Sequence, residues 1–322
     1  MNSPCIFLMG PTASGKTDLA VSLVKHFPCD IISVDSAMVY QGMDIGTAKP
    51  SAEILAQAPH RLIDIRDPAK TYSVGQFCQD AQVEIQAIQA AARIPLLVGG
   101  TMLYFHSLQQ GLSELPPANP QVRQRLNCEA EQVGWPVLHQ RLVHIDPQAA
   151  QRIHPNDSQR IQRALEVYEI SGHTITTWYA KTTTQRWLHP IVKLVIAPTQ
   201  RSVLHAKIAH RFHTMLEQGL IEEVRGLFER GDLNSDLSSM RCVGYRQVWR
   251  YLTGELDYAD LPEKAIIATR QLAKRQLTWL RTQTDAYWFD SFEPNMTKKI
   301  FNLLTPLIYP NCTYPRKSMP LN

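Results

Sequence analysis

One segment constrains this chain more than any other: the eight residues Gly10–Thr17, with the sequence GPTASGKT. The segment follows a short apolar run, Cys5–Met9, and precedes a helical pattern that extends to about His26. In this position the pattern G-x-x-x-x-G-K-[ST] is typical of a phosphate-binding loop, whose backbone N–H groups surround phosphate oxygens at the positive end of a helix. The sequence therefore predicts a polyphosphate site near the start of the chain.

Two side chains of this loop have expected roles. Lys16 is expected to reach the outer phosphate, and the hydroxyl of Thr17 is expected to ligate Mg²⁺, which is the predicted cofactor. The residues predicted to bind the diphosphate are Gly10, Pro11, Thr12, Ala13, Ser14, Gly15, Lys16 and Thr17.

Strands alternate with helices over the first 112 residues. Apolar or β-branched runs at Cys5–Met9, Asp30–Val34 and Ile94–Val98 predict buried strands, and residues 76–92 have a helical pattern. This alternation is typical of an α/β protein with a parallel sheet covered on both faces. Together with the phosphate loop, it predicts a P-loop NTPase-like parallel sheet flanked by helices.

The composition changes near Pro116, where an Arg- and Gln-rich stretch without strand signal begins. Strand signal returns at Ile191–Ala197, and helical patterns follow at 202–230, 241–253 and 262–283. We predict a P-loop catalytic domain from residues 1–115 and 186–300, an all-helical insertion domain at 116–185, and a loose proline-rich tail at 305–322. The aromatic residues Trp279, Tyr287 and Trp288 are predicted to be core.

Composition limits the class of protein. Hydrophobic residues make up 44% of the chain, which excludes a disordered or collagen-like protein. The net charge is only +4, so any basic surface for nucleic acid must be confined to part of the molecule. The six cysteines include no C-x-x-C pair, no export signal is recognisable, and no apolar run reaches the length of a membrane span. These features predict a reduced, cytoplasmic protein without membrane contact, and we expect a monomer because no apolar interface helix stands out.

Asp35 is the first acidic residue after the second predicted strand. The third predicted strand ends in Gly99-Gly100-Thr101, where an ordinary P-loop NTPase carries a metal-binding Asp. Ligands of α/β sheets bind at the carboxyl ends of the strands, where Asp35 is expected to lie. It is placed either to hold Mg²⁺, to accept a proton from a nucleophile, or to cap a turn.

Several long blocks resemble the tRNA dimethylallyltransferases, also called tRNA isopentenylpyrophosphate transferases. The matching segments are GPTASGKT, Ile32–Pro50, Pro59–Pro68, Leu96–Tyr104, His154–Gly172, Arg241–Trp249 and Thr269–Arg281. The resemblance extends over about residues 4–290 and is to the short bacterial form, because Cys312 stands alone where longer members carry a zinc finger.

The resemblance implies transfer of a dimethylallyl group from its diphosphate to the exocyclic amine of the adenosine 3′ of the anticodon in tRNA. The expected partners are therefore dimethylallyl diphosphate and the tRNA anticodon stem-loop. Asp35 would orient the amine and accept its proton, and Lys16 and Thr17 would stabilise the leaving diphosphate. By the same resemblance Arg211 closes over the diphosphate and Thr101 lies near the target base.

The tRNA-contacting positions of the family also map onto this chain. On a helix, Arg270, Lys274 and Arg281 fall within about 40° of one another and form one basic stripe. The residues predicted to contact tRNA are Asp35, Ser36, Ala37, Met38, Thr101, Arg123, Gln159, Arg160, Ile161, Gln162, Arg163, Arg241, Cys242, Val243, Gly244, Tyr245, Arg246, Lys274, Arg275, Gln276, Leu277, Thr278, Trp279, Leu280 and Arg281.

Three alternative functions compete with this prediction. The first is a prenyltransferase that acts on free adenine nucleotides, which the long Arg/Gln-rich insertion disfavours. The second is a P-loop small-molecule kinase, which the Gly99-Gly100 strand end disfavours. The third is a non-catalytic RNA-binding protein, which the intact phosphate loop and Asp35 disfavour.

Overall fold

The computed structural model describes residues 4–111, 115–181, 187 and 189–309. The chain divides into two compact units, one formed by Met1–Ser107 with Leu188–Asn322 and the other by Leu108–Trp187. The helical insertion that the sequence predicts at 116–185 falls within the range of the second unit.

Strands and helices alternate along the first unit. In chain order, the first part of the protein contains β1 (Cys5–Met9), α1 (Lys16–His26), β2 (Cys29–Val34), α2 (Ala52–Gln57), β3 (His60–Arg61), α3 (Val74–Ala90), β4 (Ile94–Gly99) and α4 (Met102–Gln110). Five helices follow, α5 (Pro120–Val133), α6 (Trp135–Ile145), α7 (Pro147–Arg152), α8 (Ser158–Ser171) and α9 (Ile175–Lys181). The remainder contains β5 (Ile191–Ala197), α10 (Arg201–Glu217), α11 (Leu220–Phe228), α12 (Tyr245–Leu252), α13 (Leu261–Leu280), β6 (Tyr287–Asp290) and α14 (Met296–Ile308). Across the described ranges, no helix is long and apolar enough to cross a membrane.

The six strands form one sheet in the order β3-β2-β4-β1-β5-β6, and each pair of neighbours is parallel. The predicted α/β fold with a helix-flanked parallel sheet is therefore confirmed. The two edge strands, β3 and β6, were not predicted because two and four residues are too short to show an alternating pattern.

The register of the three central strands places the functional loops side by side. Met9 of β1 pairs with Gly99 of β4, and Val34 of β2 pairs with the same Gly99. Because the strands are parallel, the residues that follow these three positions emerge at one edge of the sheet. Gly10, Gly100 and Asp35 are therefore neighbours at the carboxyl edge.

The C-terminal helix corrects the predicted tail. α14 continues through Pro306 to Ile308, so residues 305–308 are helical, and positions 310–322 lie outside the described residues. The prolines alone suggested an irregular segment, but Ile300 and Leu304 are completely buried in the core cluster that also contains residues of α1 and β1. Burial of this apolar stripe stabilises the helix despite the proline near its end.

Other predicted elements differ in detail. The continuous helix predicted at 202–230 is two helices, because Gly219 adopts a left-handed conformation with φ +97° and ends the first of them. The helix predicted to begin at residue 241 begins at Tyr245. The prediction of core positions for three aromatic residues was wrong, because Trp279, Tyr287 and Trp288 are all exposed.

In the described part of the second unit all regular elements are helices, as the sequence predicts for this stretch. Its core consists of apolar residues from the five helices α5 to α9, including Leu126, Leu142, Ile161 and Leu165, each of which is fully buried. Asn119 caps α5 by accepting hydrogen bonds from the backbone N–H groups of the first turn. This unit therefore has a hydrophobic core of its own.

Replacement of Leu304 by alanine tests the packing of α14. Because its side chain is buried, we expect Leu304→Ala to lower the free energy of unfolding by about 2–5 kcal/mol. Leu307→Ala is the matched control, since Leu307 is 43% exposed on the same helix, and its effect should stay within about 0.5 kcal/mol. Urea unfolding of both variants measures the difference. Equal stability of the two variants would contradict the packing described here.

Candidate active site

Two cavities open at the carboxyl edge of the sheet. The smaller, about 210 Å³, is lined by the loop residues 12–17 and is called here the phosphate-loop cavity. The larger, about 490 Å³, is called the main cavity and is lined by residues of the loops after β2 and β4 together with α10 and α13. Six residues line both cavities: Thr12, Asp35, Thr47, Gly100, Arg211 and Gln276.

The loop Gly10–Thr17 connects β1 to α1, as the motif requires. The Nζ atom of Lys16 donates hydrogen bonds to the carbonyl oxygens of Gly10 (3.0 Å) and Pro11 (2.7 Å), which holds the ammonium group over the loop. The buried Oγ atom of Ser14 has no hydrogen-bond partner among the described residues. A buried hydroxyl without a partner is costly, and a bound phosphate oxygen would satisfy it.

The electrostatics of the site favour an anion. Burial, together with the charge of Arg211, lowers the pKa of Lys16 to about 7, while Asp35 opposes both effects. Burial also lowers the pKa of Arg211, again with Asp35 opposing. Two partly desolvated cations therefore share the influence of a single carboxylate, and the negative charge of a diphosphate would compensate them.

Thr12 of the phosphate loop is held from two helices. The guanidinium group of Arg211, on α10, donates a hydrogen bond to Thr12 Oγ1 (2.8 Å). Gln276, on α13, accepts a hydrogen bond from the Thr12 N–H at its Oε1 (2.9 Å) and donates from Nε2 to the carbonyl oxygen of Gly100 (2.8 Å). Gln276, which the sequence predicts only as a tRNA contact, thus links the phosphate loop to the end of β4.

Asp35 begins a tight turn after β2. Its Oδ1 atom accepts hydrogen bonds from the backbone N–H groups of Ala37 (2.8 Å) and Met38 (3.3 Å). The Ser36 N–H donates to Thr101 Oγ1 (3.1 Å), which ties this turn to the residue that precedes α4. Within the described part of the chain, Oδ2 of Asp35 accepts no hydrogen bond, so one carboxylate oxygen stays available for a ligand.

The end of β4 has no room for an acidic side chain. A Cβ atom on Gly99 would lie 2.0 Å from the carbonyl oxygen of Val34, well inside van der Waals contact. The metal-binding Asp that P-loop NTPases carry on this strand is therefore excluded at this position. Asp35, one strand over, supplies the carboxylate at this edge instead.

The site offers oxygen donors for Mg²⁺. The Thr17 and Asp35 side chains both line the phosphate-loop cavity, and no cluster of three or more His, Cys, Asp or Glu residues that could hold a metal occurs in the ranges that the structure describes. Mg²⁺ is commonly held by one or two protein oxygens together with substrate phosphates and water rather than by an all-protein cage. The residues present fit that mode of binding.

The main cavity has an apolar wall and a polar rim. Ile208, Phe212 and Met215 line it from one face of α10, on either side of Arg211. Trp279 of α13 also lines it, and its ring meets the ring of His106 edge to face with centroids 5.3 Å apart. The cavity can therefore hold a flat or branched apolar group beside Asp35 and Arg211, which also line it.

Two predicted tRNA-contacting segments border the main cavity. In the segment before α12, Arg241, Cys242, Val243 and Gly244 line the cavity, while Tyr245 is buried and Arg246 is exposed. On α13 the side chains of Lys274, Arg275, Thr278 and Trp279 are exposed, Leu277 is half-buried, Leu280 is buried, and Arg281 is exposed at the helix end. Arg270 is half-buried, so the basic stripe consists mainly of the residues from Lys274 onward.

In the second unit, two of the predicted arginines bind a buried carboxylate. Arg123 donates from Nε (2.8 Å) and from Nη2 (3.1 Å) to Glu166, and Arg163 donates to the same side chain (2.6 Å). Gln159 and Arg160 are exposed at the start of α8, Gln162 is half-buried, and Ile161 is in the core. The exposed part of this segment is therefore its first turn.

The chain matches a model of a known protein family. The model described as IPP transferase matches residues 38–283, which is more than half of the chain. The chain belongs to the IPP transferase family. It is accordingly an enzyme of the transferase class, and the family that the sequence motifs resemble is confirmed.

Solved structures agree with the family. A tRNA isopentenylpyrophosphate transferase from Bacillus halodurans is 34% identical, with 96% of this chain and 97% of that chain covered and a TM-score of 0.69. A tRNA delta(2)-isopentenylpyrophosphate transferase from Staphylococcus epidermidis is 32% identical, with coverages of 94% and 99% and a TM-score of 0.67. A eukaryotic dimethylallyltransferase acting on tRNA is 24% identical, with coverages of 98% and 82% and a TM-score of 0.81, which is a likeness of fold alone.

The link made by Gln276 can be tested with a charge substitution. Gln276→Glu removes the donor to Gly100 and adds a negative charge beside the phosphate loop, so we expect inorganic diphosphate to bind at least about 10-fold more weakly. Gln271→Glu makes the same chemical change at an exposed position of α13 and should alter affinity by no more than about 3-fold. Isothermal titration measures both. Equal affinities for the two variants would show that Gln276 does not support the loop.

The Glu166 cluster predicts a stability effect that depends on pH. Burial tends to raise the pKa of Glu166, but hydrogen bonds from Arg123, Arg163 and the Asn119 N–H outweigh it and hold that pKa below its ordinary value of 4.5. A depressed folded-state pKa stabilises the fold above about pH 4.5, and this stabilisation is lost as the pH falls through the folded-state pKa.

Glu166→Gln should therefore lower the free energy of unfolding at pH 7 by about 3 kcal/mol. The difference from wild type should shrink as the pH falls below 4.5, where the carboxylate of the unfolded chain begins to be protonated, and should be smallest below the folded-state pKa. Glu131→Gln, at an exposed position of α5, is the control, with an expected change within about 0.5 kcal/mol. Urea unfolding over a pH series measures it. A deficit that stays constant down to low pH would contradict this assignment.

Proposed function

We propose that this protein transfers a dimethylallyl group from dimethylallyl diphosphate to the exocyclic amine of the adenosine 3′ of the anticodon in tRNA, with release of diphosphate. Membership of the IPP transferase family supports a prenyl transfer, and the relatives from Bacillus halodurans and Staphylococcus epidermidis are named as tRNA enzymes. The proposal accounts for a phosphate loop without a nucleoside triphosphatase acid and for the basic surface of α13.

One observation carries the proposal: a cationic phosphate cavity and a partly apolar cavity share Asp35 and Arg211. A diphosphate in the first would place its ester carbon toward the second. The main cavity, at about 490 Å³, has room for a five-carbon chain and a nucleobase together. The bond to be broken and the amine that attacks would then meet beside Asp35.

The phosphate loop would stabilise the leaving group. As the bond between the ester oxygen and the prenyl C1 atom breaks, its electron pair and a negative charge move onto the diphosphate. The loop N–H groups, Lys16 and Arg211 lie where that charge accumulates, and preorganised donors of this type contribute about 3–4 kcal/mol each. Thr17 would hold Mg²⁺, which when bound supplies further positive charge to the diphosphate.

Asp35 would serve the nucleophile. The lone pair of the adenine amine forms the new bond to C1, and the amine then loses one proton. Because Ala37 and Met38 fix Oδ1 of Asp35, the second oxygen of the carboxylate is the one that would accept this proton. Proton transfer to a positioned group of this kind typically contributes about 10²- to 10⁴-fold in rate.

The RNA would be bound around the mouth of the main cavity. Lys274, Arg275 and Arg281 are exposed on or beside α13 and would contact phosphates. The target base must leave the stacked loop to reach Asp35, and Trp279, 38% exposed, offers an aromatic surface on which a base can stack. We further propose that the second unit contributes to tRNA binding through Gln159 and Arg160, which are exposed.

The mass of an anticodon stem-loop tests the reaction. Incubation of an unmodified stem-loop with the enzyme, Mg²⁺ and dimethylallyl diphosphate should add one C₅H₈ unit to the adenosine 3′ of the anticodon. Parallel reactions with free AMP distinguish an RNA enzyme from one that acts on free nucleotides, and ATP turnover without RNA tests for a kinase. Transfer to AMP but not to the stem-loop would overturn the proposed substrate.

The substitution Asp35→Asn tests the proton acceptor. The amide side chain keeps an oxygen that accepts the hydrogen bonds of the turn but is not a base, so turnover should fall at least about 100-fold. Affinity for the stem-loop should remain within about 3-fold of wild type, because the carboxylate acts mainly by accepting the proton in the transition state. Single-turnover kinetics and RNA-binding titrations measure the two effects. Turnover within a few-fold of wild type would remove Asp35 from this role.

A further inference from the structure

One acidic side chain outside both cavities is surrounded by hydrogen-bond donors. Oε2 of Glu223, in the first turn of α11, accepts from the backbone N–H groups of Asp44 (3.0 Å) and Ile45 (2.7 Å). Its Oε1 accepts from the Gly46 N–H (3.2 Å) and from the hydroxyl of Tyr245. Four donors occupy the acceptor sites of one carboxylate, which is about as many as it offers.

These donors come from two walls of the candidate active site. The loop Asp44–Thr47 contributes Gly46 and Thr47 to the lining of the main cavity, and Thr47 lines the phosphate-loop cavity as well. Tyr245 is fully buried and directly follows the lining segment Arg241–Gly244. Glu223 itself lines neither cavity. It therefore connects two walls of the site from a position outside both cavities.

The packing of Gly46 against Tyr245 shows how closely these walls approach. A Cβ atom on Gly46 would lie 2.4 Å from Cε2 and 2.7 Å from Cζ of the Tyr245 ring. Burial and the neighbouring Glu223 charge raise the pKa of Tyr245, so its hydroxyl stays protonated and acts as a donor. Only an acceptor can sit opposite three consecutive N–H groups and this hydroxyl.

We propose that Glu223, with Tyr245, is a positioning residue for prenyl transfer: it fixes the loop Asp44–Thr47 against the segment Arg241–Gly244 so that the main cavity holds the acceptor adenosine in place. This inference rests on the proposed function. A glutamate in the first turn of a helix also interacts favourably with the helix dipole, and Glu222 lies in the same turn as Glu223. The neighbour therefore serves as a control for any effect on the helix itself.

Hydrogen exchange tests the contact directly. In Glu223→Gln the side-chain NH₂ replaces one acceptor and faces the donors of the loop, so at least one backbone N–H loses its partner. We expect the amide hydrogens of Asp44–Gly46 to exchange at least about 10-fold faster than in wild type. Glu222→Gln, at the adjacent exposed position, should leave them unchanged. Exchange in Glu223→Gln equal to wild type would overturn the proposal.

Kinetics test the functional consequence. Glu223→Gln should lower kcat/KM for the stem-loop at least about 10-fold while the affinity for inorganic diphosphate stays within about 3-fold, because Glu223 does not touch the phosphate loop. Tyr245→Phe keeps the ring against Gly46 and should give a smaller loss. The variant that carries both substitutions should have a kcat/KM no lower than that of Glu223→Gln alone, since both substitutions disrupt the same group of hydrogen bonds.

The outcomes separate this inference from the proposed function. A wild-type enzyme that does not prenylate the stem-loop would overturn the proposed function, and the exchange rates would still decide whether Glu223 holds the loop. An active wild type with faster exchange in Glu223→Gln but unchanged kcat/KM would overturn the positioning role. Equal losses of diphosphate and stem-loop affinity would also overturn it, because they indicate a general loss of structure.

Discussion

Three neighbouring parallel strands end in one register, and the candidate site depends on that alignment. The pairing of Met9 and Val34 with Gly99 brings the phosphate loop, the turn at Asp35 and the start of α4 to one edge of the sheet. Gly99 is part of the same constraint, because its lack of a side chain lets the strands approach and removes the acid that a nucleotide hydrolase uses. In the proposed function, the chemistry at this edge therefore falls to Asp35.

The charges at this edge are arranged for an anion that the protein does not itself supply. Lys16 and Arg211 are both half-buried near one carboxylate, and their partial desolvation costs free energy until a negatively charged group binds. The loops around this edge are held by a second set of residues, of which Gln276 and Glu223 are the clearest. Neither acts on the reacting atoms in this account. Both bind backbone groups of the loops that carry the reacting or lining residues.

Much of the fold and part of the site could be predicted from the sequence. The phosphate loop, the parallel sheet and the helical stretch after Pro116 depend on local patterns, which a single sequence displays. The bridging role of Gln276 could not be predicted, because its partner Thr12 lies 264 residues away and an isolated glutamine gives no signal. The exposure of Trp279 was missed for a related reason: an aromatic residue beside an apolar stripe is usually core, and only the packing around it shows otherwise.

The central claim is that the two substrates meet at Asp35. A crystal structure with an anticodon stem-loop and a non-reactive thio analogue of dimethylallyl diphosphate tests it most directly. We predict that the diphosphate binds to the N–H groups of Gly10–Thr17 and that the exocyclic amine lies within hydrogen-bonding distance of the Asp35 carboxylate, about 2.6–3.2 Å. A diphosphate bound elsewhere, or an amine facing away from Asp35, would contradict it.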